Sequence, residues 1–150
     1  MKRFTFRLEK VLELRKYHEQ EAKTELGRAI GILTEIEIAI KQNAAEHSLA
    51  AQERFSGITG SAEKAGAADK VGAVSMLAWD SYILRLEQEA ERLAEEAVRA
   101  EDVVEEKRNL YLEASRELKV MEKLREKREK DHRKEVLAAE TLEMDERKPV

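Results

Sequence analysis

Three histidines, His18, His47 and His132, are the side chains best suited to hold a metal or to pass a proton near neutral pH. None has a partner three or four residues away that would complete a metal site, and no HExxH pattern occurs. The Gly60–Gly66 stretch lacks the GK[ST] ending of a phosphate loop, and no strand precedes it. Carboxylates are dense, but they recur along helix faces without a cleft to raise a pKa, which favours a solvated surface over acid–base chemistry. The chain has no cysteine, so disulfide scaffolds and Cys-based zinc sites are excluded. No residues for catalysis, metal or cofactor binding are therefore assigned, and the chain reads as a non-enzyme. What remains is electrostatics and docking. Lys119–Lys134 carries eight basic residues (Lys119, Lys123, Arg125, Lys127, Arg128, Lys130, Arg133, Lys134) and four acidic ones. It is either a solvated helix laced by i,i+4 ion pairs or a basic docking surface. No helix-turn-helix or aromatic platform accompanies it, which argues against nucleic acid.

The elements that must position these groups are long helices. Charged residues make up 40% of 150 positions, and Ala, Glu, Leu, Lys and Arg exceed half of the chain. That composition marks long helices or coiled coil, and β-branched and aromatic residues are too few for a sheet. The net charge of −4 favours neither nucleic acid nor an acidic surface. No apolar run approaches the roughly 20 residues of a membrane span, and the alternation of Phe with Arg near the start is unlike a signal peptide. A cytosolic, all-α protein is expected, without insertion into a membrane.

Two seams define its arms. Steps of four and three from Leu8 give Leu8, Leu12, Arg15, Glu19, Ala22, Leu26, Ala29, Leu33, Ile36 and Ile40, after which the seam fades into Asn43, His47 and Arg54. The same spacing from Trp79 gives Ile83, Leu86, Ala90, Leu93, Ala97, Ala100, Val104, Lys107, Tyr111, Ala114, Leu118 and Met121. A 3.5-residue apolar period keeps one narrow stripe facing a partner helix. Between the seams, residues 56–75 hold four of the six glycines, and glycine inside a helix costs about 1 kcal/mol against alanine. The reading is one antiparallel coiled-coil domain over 1–150, with helices at about 4–54 and 75–146 and a reversal at about 56–74. A reversal near residue 65 puts residue 5 opposite roughly residue 125, so the second helix outruns the first by about 20 residues, or ~30 Å. The overhang from about Arg125 then lacks an intramolecular partner. Gly27 and Gly31 permit close helix approach or bending, with no function assigned.

Two aromatic groups stand out. Phe4, Phe6, Leu8, Val11, Leu12 and Leu14 put apolar residues on more than one helix face, so they either cap the open end or seek another partner. Phe55, Met76, Leu77, Trp79, Tyr82 and Ile83 lie near the reversal, where they either lock the tip or serve as binding anchors.

The opening Phe4-x-Phe6-x-Leu8-x-x-Val11-Leu12-x-x-Arg15 resembles the start of the FliJ family, the small coiled-coil component of flagellar type III protein export. A Leu- and Lys-rich stretch at Leu118–Lys134 and the acidic ending Glu140…Met144-Asp145-Glu146 are similar to that family's C-terminal pattern. The resemblance implies a stalk-like antiparallel coiled coil whose open end sits in the pore of the hexameric export ATPase, FliI. It also implies a reach toward the membrane export gate, FlhA, and a link to export chaperones, all on the cytoplasmic side of the membrane. On this resemblance Phe4, Phe6, Leu8, Val11, Leu12 and Arg15 match the N-terminal motif, and Arg125, Lys127 and Arg128 the C-terminal basic positions. Phe55, Trp79, Tyr82 and Ile83 are a plausible gate-facing patch without a motif match. The alternatives are a structural coiled coil that self-associates through its Phe cluster, or a stalk subunit of an injectisome or rotary ATPase.

Overall fold

The computed structural model describes residues 3–63 and 69–148, and these form two α-helices, α1 (Glu9–Glu63) and α2 (Asp69–Arg147). The fold is an all-α hairpin in which the two helices pack against each other and the C-terminal one is longer, 79 residues against 55. Helix α1 begins later than the apolar pattern suggested. Phe4 and Phe6 are partly covered while Arg3, Thr5 and Arg7 are exposed, a two-residue alternation that belongs to extended chain and not to helix. A turn follows, in which the Glu9 amide donates to the Phe6 carbonyl at 3.1 Å, and Leu12 then donates to Leu8 at 2.9 Å to open the helical ladder. Glu9 sits in that first turn, where a carboxylate suits the positive end of the helix dipole.

At the other end, much of the expected reversal is helical. Helix α1 runs on to Glu63 and α2 starts at Asp69, while the remainder of the segment, 64–68, lies outside the described residues. Glycines set apart from one another cost about 1 kcal/mol each, and propagation from a long existing helix absorbs that. A Cβ built at Gly27, Gly31 or Gly57 meets nothing within 4 Å, so none of these three is required by α1–α2 packing.

The chain divides into two compact units. One comprises Met1–Gly27 with Glu106–Val150, the other Arg28–Glu105. In the second unit His47 pairs with Glu87 at 3.3 Å and Arg54 with Asp80 at 2.6 Å. One heptad forward on α1 is thus one heptad back on α2, as antiparallel pairing requires. The buried stripe here is Ala29, Asn43 and Ala50 on α1 against Leu86, Leu93, Ala100 and Val104 on α2. Packing therefore does not stop where apolarity fades. Asn43 is 8% exposed and Ala50 only 3%, and the polar seam positions His47 and Arg54 are filled by their contacts with Glu87 and Asp80. A buried Asn in a coiled-coil seam fixes register at some expense of stability. Further along α2, Arg92 bridges Glu89 and Glu96 on the solvent side, and its guanidinium holds the Glu89 carboxyl below the usual range.

In the first unit Leu12 is the anchor, 1% exposed. Arg15 pairs with Glu117 at 2.5 Å and Glu9 with Arg125 at 3.4 Å, again antiparallel. The latter contact corrects the expected overhang. Arg125 has a partner on α1, and the extended N-terminal segment carries the covered stripe of α2 on through Glu129, His132, Val136 and Glu140. From Thr141 to Lys148 every residue is exposed. A helical stretch without a packed face is marginal in water. Hydrogen exchange should accordingly show protection falling off near residue 141. An onset near Arg125 would mean that the Glu9–Arg125 and N-terminal contacts hold nothing together.

Candidate functional site

The residues that the sequence singles out for docking fall into two groups, one in each unit. In the first unit the N-terminal segment lies along α2 as a strap. The Phe4 ring packs on the His132 ring with centroids 5.5 Å apart and planes inclined by 34°. Beside them a groove of about 390 Å³ is lined by Phe4, Glu129, His132, Arg133, Val136, Leu137 and Glu140. A larger open recess of about 850 Å³ runs from Arg3 to Leu8 and includes Arg128, Asp131 and Glu135 on α2. Phe4 and Phe6 thus cap α2 beyond Met121, where its apolar seam ends.

The nine residues of this group separate by environment. Leu12 is core. Arg15 and Arg125 are engaged across the hairpin, with Glu117 and Glu9 respectively. These pairs leave 39–55% of their side-chain surfaces open, and partly exposed pairs contribute only about 0–1 kcal/mol. Leu8 and Val11 keep 37% of their surface exposed, next to Leu14 at 52%. Lys127 and Arg128 are exposed, and Arg128 edges the recess beside Phe4. Phe4, Phe6, Leu8 and Arg128 are therefore brought together. Around them the basic stretch also shows the helix-surface pairs of a solvated face, Lys130–Glu126 and Arg133–Glu129, each at 3.1 Å.

Sequence reasoning missed His132, Glu9 and Glu117 as members of this site. His132 carries the strap, and the signal for it was the period-two Phe4/Phe6 spacing. The two glutamates became visible only with register, since nothing in a one-dimensional pattern tells which acid meets which base.

In the second unit, Trp79 and Tyr82 meet edge to face, with centroids 6.0 Å apart and planes at 70°. Such a pair adds about 0.5–1.5 kcal/mol to its burial. Ile83 is partly covered beside them. Phe55 is 68% exposed, as are Val74 at 68% and Leu77 at 67%, so this patch keeps apolar surface open to solvent. Among the described residues no group of three His, Asp or Glu side chains converges to hold a metal. No described helix is long and apolar enough to cross a membrane.

A long-helix hairpin with a strapped terminal end and bare basic and apolar side chains has the features of a docking component. The family model described as "Flagellar FliJ protein" matches residues 4–148, and the chain belongs to the FliJ family. It is accordingly a non-enzymatic component of flagellar protein export. Neither the curated proteins nor the solved structures compared with it gave a match.

Proposed function

We propose that this chain is the stalk-like partner of the hexameric export ATPase, FliI, binding in its pore through the terminal end of the hairpin and raising its turnover. On this reading the protein is a single coiled-coil domain that works in the cytoplasm, at the membrane only through its partners. Leu8, Val11, Lys127 and Arg128 supply the contact surface, and the Phe4/Phe6 strap supports it. Leu12, Arg15 and Arg125 hold the two helices in register beneath. The patch of Phe55, Trp79, Tyr82 and Ile83 faces the export gate, FlhA, and the same protein connects the ATPase with export chaperones.

The observation that carries the reading is family membership over nearly the whole chain, joined to the exposed Arg128 beside the half-open Leu8 at the end where the motif residues lie. Aliphatic surface contributes about 25 cal/mol per Å² removed from water, and exposed cations speed encounter with a partner surface of opposite charge. Titration of the purified ATPase hexamer with the wild-type chain tests it. Turnover should rise and saturate, with no hydrolysis by the chain alone. A flat titration overturns the reading.

A further inference from the structure

Helix α1 begins at Glu9, and Glu9 is already paired with Arg125 of α2. No turn of α1 is therefore left to pack on α2 beyond that pair. What lies along residues 126–140 instead is the extended segment 3–8. Apart from α2 itself, only residues of that segment line the groove and the recess there. The seat it covers is a poor one. Between Glu126 and Lys148 no α2 residue is fully buried, and Val136 is the only apolar one even partly covered. Glu129, His132 and Glu140 make up the rest of the stripe. The segment also has little to hold it. Its backbone bonds run to the first turn of α1, at Phe6 and Leu8, and none reaches α2 among the described residues. Across the recess no ion pair joins Arg3 or Arg7 to Asp131 or Glu135. Its hold on α2 is thus the partly covered Phe4 and Phe6, with the Phe4 ring on His132.

Each piece therefore lacks what would order it alone. An extended segment without a hydrogen-bonded ladder has little to offset the entropy of fixing its backbone. A helix end without a packed face is marginal in water. Together they cover each other. We propose that residues 3–8 and 126–140 form a clasp that opens and closes as one unit while the rest of the hairpin stays folded. Such a unit is a local opening of low free energy at the edge of a more stable structure. Its consequence for docking rests on the ATPase reading above. Leu8 and Arg128 line one recess when the clasp is closed, so a partner that touches both binds the closed form. The apparent affinity is then scaled by the closed fraction. The clasp thereby regulates docking by how often it is shut.

The chain has no cysteine, so one introduced disulfide can hold the clasp shut. Phe4→Cys with His132→Cys replaces the ring contact by a bond that is present on oxidation and absent on reduction. Phe4→Ser with Phe6→Ser leaves the clasp open. In the free protein, hydrogen exchange over 126–140 should be about tenfold faster in the serine variant than in wild type. Exchange over 86–104 should be unchanged. The cysteine pair should match the serine variant when reduced and be at least as protected as wild type when oxidised. Equal exchange over 126–140 in wild type and the serine variant overturns the proposal. So does faster exchange that spreads through 86–104, because the segment would then belong to one cooperative hairpin. In an ATPase titration the oxidised pair should reach half-maximal stimulation at a lower concentration than the reduced pair. Equal values break the link between clasp and docking. Flat titrations with every chain refute the ATPase reading instead, and the exchange result still decides the clasp.

Discussion

Leu93→Ala is expected to remove about 2–5 kcal/mol of stability, the usual loss for deleting a buried leucine side chain. Leu93 is 6% exposed and faces α1 from the middle of the second unit's stripe. In a two-helix hairpin the core is one side chain wide, so no second layer can collapse into the vacancy. Against a typical total of 5–15 kcal/mol, that is a large share from a single site. Leu84→Ala is the matched control, because Leu84 is 54% exposed on the same helix, and its effect should stay within about 0.5 kcal/mol. Urea titration followed by far-UV circular dichroism reads both. Equal midpoints for the two variants would mean that α2 does not bury the face described.

The same stripe shows what was legible in the sequence. The α2 seam from Trp79 to Met121 could be followed by apolar spacing alone, and all but one of its positions are covered. The exception, Ala90, is exposed while its neighbour Glu89 is partly covered. Alanine carries too little surface to mark a face, and a long acidic side chain can lay its stem along one. The α1 seam was legible only to Ile40. Beyond it the spacing continues through Asn43, His47, Ala50 and Arg54, but all except Ala50 are polar, and Glu87 and Asp80, the partners of His47 and Arg54, lie on the other helix. Apolarity reports burial of single residues. Polar pairs are properties of two positions, and the register that joins them depends on where the chain reverses.

The same limit governed the terminal end. The motif at Phe4, Phe6 and Leu8 was visible, and so was the basic run, but the strap on His132 and the Glu9–Arg125 pair required the fold. Reading Phe4 as helical rather than extended shortened the apparent pairing of α2. This difference decides how the proposed ATPase contact is best probed.

At that end, Lys127→Glu with Arg128→Glu should abolish most stimulation of the ATPase at low salt and progressively less as salt is raised. Both side chains are exposed and neither contributes to the covered stripe, so the change leaves the hairpin intact. Exposed charges act through a field that decays over about 8 Å at physiological ionic strength, which confines the defect to association rate. Arg125 is a poorer choice. Its pairing with Glu9 means that Arg125→Glu sets two carboxylates against each other and loosens the start of α1. Leu8→Ser with Val11→Ser is the complementary variant. Each residue keeps 37% of its surface free for a partner, so losing both should weaken binding about tenfold, taking roughly 1 kcal/mol or less from each partly exposed side chain. That defect should persist at high salt, since it arises from apolar area. Phe4→Ala with Phe6→Ala would blur the comparison, because releasing the strap from His132 changes the end's structure along with its surface. The readout is ATPase turnover of the hexamer titrated with each chain at low and high salt, with circular dichroism to confirm helicity. Opposite salt profiles for the two variants support a steered, partly apolar contact at the terminal end. Stimulation by both variants at wild-type levels would place the ATPase contact elsewhere on the protein.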